Sequence, residues 1–234
     1  MSKAEEYMNT LSEEKIQQYK ETLKTQGYIH VTNLPDNFDY LRFVQFFGNL
    51  MPQYDGQLVC SIKPDPQFAD TYHALNSQPL LPHTECYEVE GAPPKYLSLW
   101  CIKAAEGGSG QTTLADGYAF VDSLSTEERT TLASHICQFY TGKQTTHYPI
   151  YDLNTVPNTP ILRCSLRFLK SMRDPFITDI RQRLGDFFER THASIFYQKN
   201  SIVIWDNWRI LHARPAFEDQ SRHLKRVWLS HTTG

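Results

Sequence analysis

Paired cysteines, a glycine-rich phosphate loop and long apolar runs are all missing from this 234-residue chain. Its five cysteines, Cys60, Cys86, Cys101, Cys137 and Cys164, are scattered, odd in number and never spaced CxxC. That argues against a disulfide framework or a zinc ribbon and for a reducing compartment. No segment approaches the ~18 consecutive apolar residues of a membrane span, and MSKAEEYMNT carries no secretory signal. A cytoplasmic protein is expected. No glycine-rich phosphate loop follows a strand-like segment, so a nucleotide-binding fold lacks its main signal. Net charge is only −3, which gives no reason to expect nucleic acid or a membrane surface as partner. Repeats, low-complexity tracts and linkers are absent too, so residues 1–234 read as one domain.

What the chain does have is aromatic and β-branched sequence. Aromatics make up 13% of it, a share that suits strands or an aromatic-lined pocket. A first helix is expected over 10–26, opened by a Thr10/Glu13 capping box and stopped by Gly27. YIHVT (28–32) reads as a strand and 39–47 as a short helix. QLVCSI (57–62) and KYLSLWCI (95–102) read as further strands. A Ser125/Glu128 capping box predicts a helix to about Cys137, and Pro175 opens another to about Thr191. SIFYQ, SIVIW, RILHA and LKRVWLS close the chain as strands. Strands on both flanks with inserted helices favour a mainly β jelly roll or barrel over a βαβ sheet.

The segment Leu81-Pro82-His83-Thr84-Glu85 carries the most chemical information. On an extended strand, His83 and Glu85 point to the same side and can take adjacent positions on one metal ion. His212, in WDNWRILHAR, is the best candidate for a third ligand. Two imidazoles and one carboxylate leave the opposite positions of a non-heme iron(II) centre open. An HxE pair alone is commonplace, and its context gives it weight.

NSQPLLPHTE, GGSGQTTLAD, SIVIWDNWRILHARPAF and RHLKRVW, in that order, resemble motifs of a known family. It is the taurine dioxygenase-like (TauD/TfdA, clavaminate synthase-like) family of Fe(II)/2-oxoglutarate oxygenases. GYIHVTNLP and the stretch to MPQYDGQ are similar to the family's N-terminal region, so the likeness covers nearly the whole chain. It implies a double-stranded β-helix, with His83, Glu85 and His212 holding Fe(II) at the barrel mouth. Glu85 departs from the commoner Asp but keeps the charge, and its presence disfavours halogenation. The activity implied is a dioxygenase using O2 and the cosubstrate 2-oxoglutarate. It oxidises an unactivated C–H bond of a small molecule and releases succinate and CO2. Hydroxylation of an amino-acid-like or other anionic or zwitterionic metabolite is the leading expectation, with desaturation, cyclisation or epoxidation as alternatives.

Arg222, Leu224 and Arg226 alternate with His223 and Lys225, so one set faces the interior. Buried arginines need anions. By resemblance, Arg222 takes the distal carboxylate of 2-oxoglutarate and Arg226 an anionic group of the substrate, roles that could be exchanged. The bland reading is a solvated basic edge strand. Thr112 matches a cosubstrate-holding threonine, or merely begins a strand. Asn76 matches a residue reaching cosubstrate or substrate, or sits in a turn. Arg163 and His73 are further candidates for substrate contact, against an outer-face Arg and an ordinary surface His. Asp206 and Asn207 are expected to support His212 rather than ligate. Rival readings are a cupin-type enzyme without 2-oxoglutarate, a non-catalytic barrel that binds ligands, and a β-sandwich with HTE by coincidence.

Overall fold

The computed structural model describes residues 11–140, 145–169 and 173–231. Its elements begin with α1 (Glu13–Gln26), β1 (Tyr28–Val31), α2 (Tyr40–Val44), β2 (Asn49–Met51), β3 (Val59–Ile62), β4 (Leu80–His83) and β5 (Tyr96–Lys103). They continue with β6 (Thr112–Asp116), α3 (Gly117–Asp122), α4 (Thr126–Ser134), β7 (Ile136–Tyr140), β8 (Thr145–Pro149), β9 (Tyr151–Asp152) and β10 (Ile161–Leu162). Then follow α5 (Leu166–Leu169), α6 (Pro175–Thr191), β11 (Ala193–Ile195), β12 (Ile202–Asp206), β13 (Ile210–Arg214) and β14 (His223–Ser230).

Two antiparallel sheets form the jelly roll. The larger runs β1-β12-β5-β14-β2, with β3 also paired to β14; the smaller runs β11-β6-β13-β4. Side chains alternate across each strand, and the alternation sorts them into layers. In β12, Val203 and Trp205 face inward, joining Leu97, Leu99, Leu114, Ile210 and Leu224 between the sheets. Ile202 and Ile204 face outward, under Ile16 and Leu23 of α1 and Phe43 and Val44 of α2. Leu211 and Ala213 of β13 lie on the outer face of the smaller sheet, where Phe120, Leu132, Ile177, Ile180, Leu184 and Phe188 cover them. No helix among the described residues is long and apolar enough to cross a membrane.

Local chemistry sets the boundaries. Thr10 lies outside the described residues; the cap of α1 is Ser12, whose side chain accepts from the Lys15 amide. Gly27 ends α1 at φ 81°, and a Cβ there would meet Ile210 Cδ1 at 2.5 Å. The Ser125/Glu128 capping box is present, but α4 stops at Ser134, short of the expected Cys137. Ile136 to Tyr140 alternate exposed and buried, a period-2 pattern, and pair with β8 as a hairpin. The expected helix over 39–47 is confined to Tyr40–Val44, with Phe46 and Phe47 in the turn beyond. Pro175 does open α6, with Asp174 capping it through Ile177 N.

Candidate active site

His83 ends β4 and His212 lies within β13; the antiparallel register sets them directly opposite. Their ring centroids are 4.1 Å apart. Glu85 Oε2 lies 3.7 Å from His83 Nε2 and 3.8 Å from His212 Nε2, and one donor atom from each falls within 4.8 Å of the others. The expectation that Glu85 shares a continuous strand with His83 is corrected. β4 ends at His83, and the chain turns at Cys86 with φ 56°. Asn207 therefore stands in for a neighbouring strand: its Oδ1 accepts from Glu85 N (2.7 Å) and its Nδ2 donates to Glu85 O and Pro94 O (both 3.0 Å). Asn207 is completely buried. Asp206 acts one step further out, accepting from Lys95 Nζ (2.6 Å) and Trp208 N (3.0 Å) at the turn between β12 and β13.

Protonation suits ligation. His83 Nδ1 lies 2.8 Å from the Leu81 carbonyl. A carbonyl only accepts, so Nδ1 carries a proton, and Nε2 is the ring nitrogen turned toward Glu85. Burial, then the neighbouring His83, hold His212 well below the usual imidazole range, so it is neutral near pH 7. Burial alone would raise Glu85, but Arg226 and the two histidines outweigh it and bring its carboxyl to about 2. Two imidazoles and one carboxylate form a donor set suited to a divalent first-row metal.

Behind this set lies an inner chamber walled by Thr112, Trp205, Arg214, Arg222, Leu224 and Arg226, among others. Arg222 is buried; its Nε donates to the Gly110 carbonyl at 2.9 Å. Gly110 takes φ 65°, and a Cβ there would lie 2.8 Å from Arg222 Cδ. The Thr112 hydroxyl sits 2.6 Å from the Tyr197 hydroxyl, whose ring lies beneath the Arg222 guanidinium at 5.5 Å. Arg214, also buried, donates to Ala74 O (2.8 Å), Gln78 O (2.7 Å) and Asn76 Oδ1 (3.2 Å), while its Nε has no partner. Burial and Arg222 pull Arg214 down to about 9, so it stays protonated near neutrality. Among the described residues no carboxylate pairs with Arg214 or Arg222.

In front of the metal set an outer chamber of about 440 Å³ opens, lined by Tyr54, His73, Glu85, Glu88 and Arg226, among others. Arg226 donates from Nη1 to Glu85 Oε1 (2.7 Å) and from Nε to Gln53 Oε1 (2.8 Å). His73 lines this chamber and stacks on Phe68; its Nδ1 accepts from Leu75 N (3.1 Å). Its neutral ring then presents Nε2–H as a donor.

Two expected substrate contacts lie elsewhere. Arg163 is fully buried behind the loop that follows Glu85. It donates to Asp152 Oδ2 (3.0 Å) and to the carbonyls of Tyr87, Val89 and Gly91, so its donors fix that loop and none faces a chamber. Asn76 is buried too; it bonds to Thr71, Phe68 and Gln78 within its own turn and accepts from Arg214 of β13. Sequence reasoning gave Tyr197 and Gln53 no individual role, although Gln53 lies in the quoted MPQYDGQ stretch. Arg214 did carry a signal, being two residues beyond His212 on the same face of a strand.

This jelly roll, with two histidines and a carboxylate gathered at one mouth, defines a mononuclear non-heme metalloenzyme of the oxygenase type. The sequence model of the taurine catabolism dioxygenase TauD, TfdA family matches residues 4–228, and the chain belongs to that family. Its enzymes are Fe(II)- and 2-oxoglutarate-dependent oxygenases that consume O2. Solved structures agree on the fold. An asparagine oxygenase in complex with Fe(II), 2S,3S-3-hydroxyasparagine and succinate aligns at 17% identity and TM-score 0.76, over 92% of this chain and 78% of that one. The non-heme iron oxygenase OrfP, in complex with Fe, succinate and (3S)-hydroxy-L-Arg, aligns at 17% and 0.73, over 93% and 80%. PvcB from Pseudomonas aeruginosa aligns at 18% and 0.65, over 92% and 79%. No curated protein sequence matches significantly.

Proposed function

We propose that this oxygenase hydroxylates an unactivated C–H bond of an amino-acid-like, zwitterionic metabolite. One observation carries the reading: two buried guanidiniums, with no carboxylate partner among the described residues, stand directly behind a His/His/Glu donor set. Buried cations of this kind are costly unless an anion meets them. In this reading His83, Glu85 and His212 hold the iron, and Arg222 with Thr112 receives the distal carboxylate of 2-oxoglutarate. The iron, when bound, supplies the activation of O2 and the oxidising power for C–H cleavage. The chain's own groups bind, orient and exclude water. Asn207 holds the Glu85 backbone and His83 is oriented through Leu81 O. Arg226 and the His73 Nε2–H offer donors to a substrate carboxylate in the outer chamber. That chamber's volume of about 440 Å³ suits a metabolite of amino-acid size.

The test is anaerobic addition of Fe(II) and 2-oxoglutarate, followed by an aerobic screen of amino acids and small peptides for accelerated succinate release. A weak visible charge-transfer band should form in the wild type, be lost in His83→Ala, and need far more 2-oxoglutarate to form in Arg222→Gln. A band that survives His83→Ala would overturn the metal assignment. Succinate release that no amino-acid-like compound accelerates would overturn the substrate class.

A further inference from the structure

One carboxylate in the outer chamber has no ion-pair partner among the described residues. Glu88 lines the chamber three residues beyond Glu85 and is partly buried. Its Oε1 accepts a hydrogen bond from the Tyr54 hydroxyl at 3.0 Å. Among the described residues it forms no ion pair. The nearby Arg163 lies behind the loop, with its guanidinium committed to Asp152 and three backbone carbonyls. The other acids of the chamber are already engaged. Glu85 meets Arg226 and the two histidines. Asp55 accepts from the Gln57 amide in its own turn. Burial, and to a lesser degree the nearby Glu85, push the Glu88 carboxyl up from its ordinary value. A carboxylate held this way is costly to keep charged, and a cation brought to it repays that cost.

The two signs of charge are also placed differently. Arg226 reaches the metal set itself, through Glu85 Oε1 at 2.7 Å. Tyr54, the partner of Glu88, is 68% exposed, so its wall of the chamber opens to solvent. Tyr54 is steadied there by edge-on contact with Trp228, at 5.1 Å between ring centroids. An anion is thus favoured beside the metal and a cation nearer the mouth.

We propose that Glu88, assisted by the Tyr54 hydroxyl, is a specificity-determining residue that receives a cationic group of the substrate remote from its carboxylate, so that this oxygenase takes a basic amino acid. The proposal rests on the zwitterionic-substrate reading above and deepens it. The carboxylate lies against Arg226, the basic side chain runs toward Glu88, and the carbons between them pass the metal set.

Ligand charge is the perturbation that tests it. L-arginine is compared with L-citrulline, which replaces the guanidinium by a neutral urea of the same shape, and L-lysine with L-norleucine. Binding is read by calorimetry on protein loaded anaerobically with Fe(II) and 2-oxoglutarate, and again on metal-free protein. In the wild type at least one basic amino acid should bind about tenfold or more tighter than its neutral counterpart, the scale of one charge-assisted hydrogen bond. In Glu88→Gln that preference should collapse, because the neutral ligand loses little and the cation loses its partner. Tyr54→Phe should weaken the preference only in part. Retention of the charge-transfer band and of the wild-type melting temperature certifies that Glu88→Gln is folded. The proposal is overturned if neither basic amino acid is preferred, or if the preference survives intact in Glu88→Gln. The band reports on the oxygenase reading and the charge preference on Glu88, so the two can fail separately.

Discussion

Replacing Asn207 by alanine isolates what holds Glu85 in place. Asn207 touches no donor atom of the metal set, yet three of its hydrogen bonds converge on the segment around Glu85: from Glu85 N at 2.7 Å, and to Glu85 O and Pro94 O at 3.0 Å each. At about 1 kcal/mol net per bond, the loss amounts to roughly 3 kcal/mol. For a chain of this size that lowers Tm by roughly 6–12 °C. β4 has already ended at His83, and Cys86 sits at φ 56°, so no strand partner can take over the bonds to Glu85. The carboxylate should therefore lose its fixed position, and metal affinity should fall about 10–100-fold, the usual scale for removing a group that orients a ligand. Anaerobic Fe(II) titration alongside thermal melts reads both effects. Asn207→Asp is the control: it keeps the acceptor for Glu85 N and loses the two donors. A variant that melts early but binds metal with wild-type affinity would refute the argument, because Asn207 would then stabilise the fold without positioning the ligand.

Arg222→Gln should raise the 2-oxoglutarate requirement about 100-fold, the worth of a bidentate charge-assisted contact; cosubstrate titration of the charge-transfer band measures it. Gly110→Ala should act on the same step from outside the chamber. Its Cβ would press on Arg222 Cδ at 2.8 Å from a backbone already at φ 65°, so apparent 2-oxoglutarate affinity should drop with the band otherwise unaltered. Asp152→Asn should leave the fully buried Arg163 unpaired and cost about 3–5 kcal/mol in a denaturant melt. In the wild type, burial alone would raise the Asp152 carboxyl, but Thr155, the Asn154 amide and Arg163 together bring it below its ordinary value. Its contribution is therefore present above the ordinary carboxylate pKa and is lost as pH falls through the lowered one, so acid melts of wild type and Asp152→Asn should converge.

The chain carries its chemistry in short contiguous signals, and those were legible. HTE and the WDNWRILH stretch flag three side chains, and the antiparallel register of β4 and β13 brings them together. The β-rich architecture followed from strand-like runs at both ends of the sequence. Convergence through space was less accessible. Arg163 reads as a pocket residue because its neighbours are basic and aromatic, but the carbonyls of Tyr87, Val89 and Gly91 that capture it lie more than seventy positions away. The turn around Asn76 was legible as the alternative to a substrate contact, but its bond from Arg214, 138 residues distant, was not. The end of α4 was missed because the capping box fixes only where a helix starts. The alternation from Ile136 to Tyr140 is what ends it, and a short alternating run is easily taken for a helix tail.

Charge in the inner chamber ties the separate parts of the site together. Its walls carry three guanidiniums, Arg214, Arg222 and Arg226, against one carboxylate, Glu85, with His83 and His212. The excess is two positive charges in a largely buried space, and burial, with Arg222 adding to it, already pulls Arg214 down to about 9. A dianionic keto acid matches that excess, which no monoanion would. The arrangement also links metal to cosubstrate. Arg226 rests on Glu85 Oε1, so a divalent ion that draws the carboxylate toward itself leaves Arg226 freer to meet an anion. Metal added to a chamber with unanswered positive charge would be repelled by it, and the incoming dianion relieves that repulsion. Each ligand should therefore tighten the other, by the reciprocity that any coupling free energy obeys. The same accounting explains why Glu88, placed outside this inner balance, is free to read the charge of a third molecule.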